Sequence, residues 1–248
     1  MSKSINIFGF HSTESLLKTN PESIIKVFIQ NNRKDKRVND LVNSLTIQKI
    51  SFSYTDRNNL DRIAKGEIHQ GIISEVILPP LLNEVSLLKS ISENPSKPLL
   101  LILDSIQDPR NLGACLRSAN AAGVDYVVIN KDGSAPINAL VHKTSAGAIN
   151  TLKIFHITNL SRTIKDLQKR GIWVIGLDGT SKSTIYEVNL TDATAIVMGT
   201  EGKGIRRLIK ETCDQIVTIP MSGNIESLNV SVATGIALFE SKRQREST

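Results

Sequence analysis

The chain has 248 residues with a formal net charge of +6, and is 40% hydrophobic but only 4% aromatic. That length suits one large or two modest domains, packed mainly through aliphatic side chains. Two cysteines, Cys115 and Cys213, with no CxxC spacing and no nearby histidine, argue against a disulfide framework or a zinc site and for reduced, packed thiols. No apolar run approaches membrane-spanning length, and the opening MSKSINIFGF lacks the apolar segment of a secretion signal. A cytoplasmic protein is therefore expected. The basic excess is spread along the chain with no basic tail, which suits a polyanionic partner such as RNA without demanding one.

Residues 1–78 predict a small α/β unit. A short helix over 11–19 stops near Asn20-Pro21, and residues 24–29 alternate as a strand. Residues 35–45 carry helical spacing at Val38, Leu41, Val42 and Leu45. A strand over 50–54 follows, then a helix over 57–64 capped by Asp56, then a strand over 71–78. Alternation of this kind predicts a mixed or parallel sheet flanked by helices. The run 31–37, NNRKDKR, is a basic loop and helix start with two readings: a solvated helix face, or a phosphate contact. Prolines at 79, 80, 95 and 98 bracket a short amphipathic piece, and residues 79–97 read as an interdomain linker.

Residues 98–248 predict a second α/β domain. Residues 99–103 are all aliphatic, so this strand is expected at the centre of a sheet covered on both faces. A polar loop over 104–111 leads into a helix that runs to Ala122. Strands are expected over 126–129, 154–157, 173–177, 195–198 and 216–219, with a helix over 160–170. The order is that of a parallel β-α-β sheet. Strand 195–198 ends in Gly199-Thr200-Glu201-Gly202-Lys203-Gly204, and strand 216–219 ends at Pro220 and a polar loop. Ser227-Leu228-Asn229 then opens a helix with apolar positions at Val230, Ala233, Ile236, Ala237 and Phe239. Glycine loops at strand ends are ordinary connections, and they are also where α/β sheets bind ligands. A serine or asparagine before a helix is most simply a cap, and this holds for Ser227 and for Asn111. Arg117 sits among Ala114, Cys115, Leu116, Ala119 and Ala121, where a guanidinium calls for an anionic or hydrogen-bonding partner.

Three stretches, DPRNLGACLRSANAAGV, IVMGTEGKGI and IPMSGNIESLNVSVATGIALFE, resemble the three motifs of SpoU-class RNA ribose 2′-O-methyltransferases. The SLNVSVA segment is the most specific of these matches. FGFHSTESLL and HQGIISEV resemble that family's substrate-binding domain, which is similar to ribosomal protein L30. The resemblance covers nearly the whole chain. It implies an α/β-knot domain with a deep trefoil knot at residues 98–248, an exception to the rule that chains do not thread loops, and an RNA-binding domain at 1–78. It implies S-adenosylmethionine bound in the knot near Gly199, Ile219, Met221 and Leu228, with no metal. It implies a catalytic set of Asn111, Arg117, Glu201, Ser227 and Asn229, and a homodimer whose site is completed across the interface. In its nearest form the substrate is a guanosine of 23S rRNA in the peptidyl-transferase P-loop, as naked rRNA or in an assembly particle. A tRNA guanosine methyltransferase, an rRNA adenosine methyltransferase and a non-catalytic RNA-binding assembly factor stand as alternatives. Arg110 departs from the histidine or glycine found in many relatives.

Overall fold

The computed structural model describes residues 4–33, 35–77, 82–93, 97–200, 202–225 and 227–247. The chain divides into two compact units, residues 1–80 with 137–151, and residues 81–136 with 152–248.

The first unit begins with strand β1 (Ser4–Phe8), helix α1 (Phe10–Thr19) and strand β2 (Ile24–Gln30). Helix α2 (Lys36–Ile47), strand β3 (Phe52–Thr55), helix α3 (Arg57–Ala64) and strand β4 (Ile72–Ile77) follow. The four strands form a mixed sheet in the order β1-β4-β2-β3, with β2 and β3 parallel and the other pairs antiparallel. Asp35 and Asp56 cap α2 and α3, accepting hydrogen bonds from the Val38 and Asn59 backbone N–H groups at 3.2 and 2.8 Å. Alternate residues of β2, Val27 and Ile29, are fully buried against Val38, Leu41 and Leu45 of α2. The alternation and the helical spacing in the sequence thus converge on one core.

The second unit opens with helix α4 (Glu84–Glu93), whose Leu87 and Ile91 are buried in the unit's main core. Strand β5 (Leu99–Leu103) is buried at all five positions. Full burial of each such Leu or Ile contributes roughly 2 kcal/mol relative to exposure. Helix α5 (Pro109–Ala122) starts with Pro109 in its first turn and ends on Gly123, whose φ of 80° is the left-handed stop that glycine adopts without strain. Strand β6 (Tyr126–Asn130) comes next. The short helix α6 (Ala139–Thr144) then packs on β1 and belongs to the first unit. The second unit resumes with β7 (Lys153–Ile157), α7 (Leu160–Gln168), β8 (Trp173–Leu177) and β9 (Thr194–Met198). It closes with α8 (Arg207–Thr212), β10 (Gln215–Val217) and α9 (Val230–Glu246).

Every neighbouring pair in this six-stranded sheet, ordered β10-β8-β9-β5-β6-β7, is parallel. The chain moves outward from β5 through β6 to β7, then returns to the other side of β5. The order therefore reverses between β5 and β9, the kind of switch point beside which open α/β sheets hold ligands at their carboxyl ends. Helices α5 and α9 pack together, with the Cys115 thiol 3.4 Å from the Thr234 hydroxyl. Among the described residues, no helix is long and apolar enough to cross a membrane.

Candidate active site

The carboxyl ends of β8, β9 and β10 and the start of α9 enclose a cavity of about 610 Å³. Leu177, Met198, Ile219, Leu228, Val230 and Ala233 give it apolar walls, while Thr200, Thr218 and Ser227 place polar groups around it. Most of its lining comes from loops that leave strands, so main-chain groups are as prominent as side chains.

Two crossings fix those loops. After β9 the chain folds back on itself, with Thr200 and Gly204 exchanging backbone hydrogen bonds at 3.0 and 2.9 Å. A Cβ on Gly199 would stand 2.1 Å from the Gly204 carbonyl carbon and 2.3 Å from the Ile205 nitrogen, so only glycine fits at this backbone contact. After β10, Thr218 donates its N–H to the Ser183 carbonyl and accepts from the Ile185 N–H, each at 2.9 Å, which ties Ile219 and Pro220 to the cavity wall.

One ion pair stands at the rim. Lys210 Nζ lies 2.9 Å from the Asp178 carboxylate and donates to Thr180 Oγ1 at 2.7 Å. Burial disfavours the ionised form of Asp178, but hydrogen bonds from the Thr180 hydroxyl and N–H and from Lys210 outweigh it, and the carboxyl stays below its usual range. Deeper in, Asp104 at the end of β5 is fully buried. It accepts from the Arg206 backbone N–H at 3.1 Å and from Arg206 Nε at 2.8 Å, with Arg206 Nη2 2.7 Å away. This pair fastens the far end of the glycine loop to the central strand, and no pattern in the sequence announces it. An aspartate that opens a polar loop carries no distinctive spacing.

The residues singled out from the sequence divide into three groups. Gly199, Ile219, Met221, Ser227 and Leu228 all line the one cavity. Asn111 and Asn229, separated by 118 positions, meet where Asn229 Nδ2 donates to Asn111 Oδ1 at 3.0 Å. Asn229 is also the N-cap of α9, with its Oδ1 accepting from the Ser231 N–H and hydroxyl at 2.9 and 2.6 Å. Its amide orientation is thereby set, and its neighbours Leu228 and Val230 both face the cavity. Arg117 stands apart: it is exposed, and no hydrogen bond or ion pair links it to the other described residues of the set. Glu201 lies outside the described residues.

Three local expectations are corrected. Asn111 does not cap α5, because Asp108 holds that position and accepts from the Arg110 N–H at 2.9 Å. Ser227 does not cap α9, because Asn229 does. Arg117 likewise needs no buried anion to offset its charge, since its helix turns it to solvent. Cys115 is buried and Cys213 half-buried, neither in a disulfide, and burial pushes the Cys213 thiol up to about 12. Among the described residues, no three His, Cys, Asp or Glu side chains gather as metal ligands.

Comparison with known proteins supplies an independent view. Residues 98–239 match the SpoU rRNA Methylase family, and residues 6–81 match the RNA 2'-O ribose methyltransferase substrate binding family. The chain is 48% identical over 240 residues to the 23S rRNA (guanosine-2'-O-)-methyltransferase RlmB of Haemophilus ducreyi, covering 96% of this chain and 97% of the relative. It is 45% identical to the RlmB of Escherichia coli, covering 96% and 98%. Its fold is similar to the SpoU methyltransferase AviRb from Streptomyces viridochromogenes, solved in complex with the cofactor AdoMet. The TM-score is 0.80 at 18% identity, over 99% of this chain and 92% of that one.

Proposed function

The chain belongs to the SpoU rRNA methylase family, and from that premise we propose that it methylates the ribose 2′-hydroxyl of a guanosine in 23S rRNA, with S-adenosylmethionine as methyl donor. Similarity to two 23S rRNA guanosine methyltransferases at 45–48% identity, over nearly the full length of each, supports the substrate. The match of residues 6–81 to a substrate-binding family disfavours a tRNA enzyme built from the catalytic domain alone. We take residues 1–78 as the RNA-binding domain and residues 98–248 as the catalytic α/β-knot domain. The P-loop of the peptidyl-transferase centre is the target that the sequence resemblance implies.

The observation that carries the reading is the cavity. Its volume falls within the ~300–1,000 Å³ usual for small-molecule sites, its walls are apolar, and its polar groups are few and convergent. The residues present fit the donor: Gly199, Ile219, Met221 and Leu228 would hold it through main-chain groups and apolar contact. When bound, the donor supplies an electrophilic methyl group on a sulfonium. The protein's part is to place the ribose oxygen in line with that methyl group and to manage the departing proton. Asn229, held by Asn111 and by its capping bonds, presents a fixed amide beside the cavity. Ser227 offers a hydroxyl from the same loop, and Glu201 completes the proposed set. Arg117 is assigned to the target phosphate and to the developing alkoxide. A guanidinium keeps its proton in proteins and so does not serve as a free base near neutrality; the proton leaves through phosphate or water.

We also propose that the protein is a cytoplasmic homodimer. Val232 and Phe239, two turns apart on α9, are 50% and 48% exposed on a helix whose opposite face is buried against α5. An apolar stripe of that kind suits a second copy of the chain.

The test is methyl transfer from labelled S-adenosylmethionine to 23S rRNA, 16S rRNA and bulk tRNA, followed by mapping of the labelled nucleotide. Label on one 2′-O-methylguanosine of 23S rRNA, lost in Asn229→Ala, is expected. Label confined to tRNA, or to an adenosine, would overturn the substrate assignment.

A further inference from the structure

The first unit carries a second polar groove, of about 460 Å³, formed where the end of β2, the start of α3 and the loop before β4 come together. That loop is held in an unusual shape. Gln70 and Gly71 are both left-handed, with φ of 51° and 83°, and for a glutamine this is a strained conformation that persists only where its surroundings impose it. Three hydrogen bonds do so. The buried His69 accepts the Gly71 N–H through Nδ1 at 3.0 Å, which leaves its Nε2–H to donate to Asp61 Oδ1 at 2.8 Å. Arg33 Nη1 donates to the Gln70 carbonyl at 2.5 Å. Core packing does not require this clamp, because the side chain it displays, Gln70, is exposed.

A second feature adjoins it. The guanidinium groups of Arg33 and Arg37 both lie over the ring of Phe10, at 4.9 and 4.7 Å from its centroid. Phe10 itself is buried. Two cations pinned on one ring are held as a rigid pair, each balanced at its flank by a carboxylate, Asp35 for Arg33 and Glu14 for Arg37. Their side chains remain partly exposed, at 31% and 40%. By contrast, a larger groove at the amino-terminal edge of the six-stranded sheet has its cations committed. Lys97 there is paired with Asp192 at 2.7 Å, and Arg170 donates to the Asp166 backbone carbonyl at 2.8 Å.

We propose that the face formed by Arg33, Arg37, Gln30 and Gln70 is where an unpaired stretch of the substrate RNA docks. The arginine pair takes backbone phosphates, and the two glutamine amides in the groove take a base edge. This rests on the reading of the chain as an rRNA methyltransferase. Amides offer a donor and an acceptor on one rigid plane, which is the chemistry that reads the edge of a splayed-out base. Guanidinium groups fixed in orientation suit phosphate oxygens. The clamp at His69 sets Gln70 in place before RNA arrives, so little ordering cost is left for binding.

The test compares wild type with Gln70→Ala and Arg37→Ala for methyl transfer to 23S rRNA over a range of salt, and measures S-adenosylmethionine affinity separately. The expected result for Gln70→Ala is an RNA KM raised about tenfold, with kcat and donor affinity unchanged. Gln70→Asn, which tolerates the left-handed backbone, guards against a loop defect and is expected to fall between the two. For Arg37→Ala the slope of log KM against log salt should drop by about 0.7, the value for one phosphate contact on a single strand; Arg37→Lys should restore most of it. If wild type methylates 23S rRNA while both alanine variants keep its KM and salt slope, the face is not the docking surface. If wild type methylates no rRNA while still binding the donor, the substrate reading itself fails, whatever the variants do.

Discussion

Replacing Arg206 by alanine tests whether the glycine loop owes its shape to the buried anchor at Asp104. The Asp104 carboxylate is 0% exposed and accepts from Arg206 through the backbone N–H, Nε and Nη2, and from the Ser105 hydroxyl at 3.2 Å. Arg206→Ala removes both guanidinium contacts and leaves one N–H and one hydroxyl facing a buried charge. Breaking a fully buried ion pair by removing one partner costs ~3–5 kcal/mol. The Arg206 side chain is 53% exposed, so solvent already screens part of its charge, and two donors survive the substitution. About 2 kcal/mol is therefore expected, which lowers the thermal midpoint by about 4–8 °C for a chain of this size. Because the anchored loop walls the cavity, S-adenosylmethionine binding measured by calorimetry should weaken about tenfold, equivalent to ~1.4 kcal/mol of loop ordering. Asp104→Asn keeps the shape but not the charge, and the double variant should cost less than the two singles summed. An Arg206→Ala protein with an unchanged midpoint and unchanged donor affinity would refute the anchoring argument.

Three further outcomes follow from the same geometry. Gly199→Ala places a Cβ 2.1 Å from the Gly204 backbone, which cannot yield like a side-chain tip; an overpacking cost of ~1–3 kcal/mol or more and loss of donor binding are expected, and affinity within twofold of wild type would contradict the crossing. Burial lowers the His142 pKa to about 4, and its Nε2 has no hydrogen-bond partner among the described residues. Since the unfolded value is ~6.5, the unfolded chain binds the extra proton first as pH falls. Stability should then be full above pH ~6.5 and fall by up to ~1.4 kcal/mol per pH unit down to about 4; urea midpoints measured across that range should flatten in His142→Gln, and an unaltered slope would count against a buried neutral imidazole. Finally, Arg117→Lys should lose most activity at every pH if Arg117 acts as a bidentate phosphate clamp, whereas retained activity with a shifted pH optimum would point to direct participation in proton transfer.

The sequence was most informative where one physical demand acted alone. Residues 99–103 had to be a doubly covered strand because nothing in LLLIL tolerates water, and all five are buried. The cap at Asp56 was legible because an aspartate stood just ahead of helical spacing. At α5 the expected cap Asn111 gave way to Asp108, since proline favours the first helical turn and leaves the cap to the residue before it. Helix α6, only six residues long, has too little periodicity to be seen, and its place in the first unit depends on contacts with β1 that no local pattern announces. For the candidate site, resemblance to family motifs selected the residues, and spacing alone would have left Asn111 and Asn229 as two ordinary caps. Their 3.0 Å contact joins helix starts 118 residues apart, a distance over which composition carries no signal.

The construction of the cavity explains why motif and geometry diverge in this way. A site walled by main chain does not require particular side chains at most of its positions; it requires that three loops cross without collision and stay crossed. Glycine at 199 permits the first crossing, and the reciprocal bonds between Thr200 and Gly204 hold it. The buried Asp104–Arg206 pair and the Thr218 bridge to residues 183–185 then fix the loop ends on the sheet. Substitutions at these supports act on the cavity through backbone displacement, and the Asp104 and Arg206 side chains need touch no ligand. The division of labour is testable in kind: changes at Gly199 or Arg206 should reduce donor binding and stability together, while changes at Asn111 or Arg117 should reduce methyl transfer with donor binding preserved. Were donor binding lost equally from both groups, the separation between a backbone-built donor pocket and a side-chain-built transfer site would not hold.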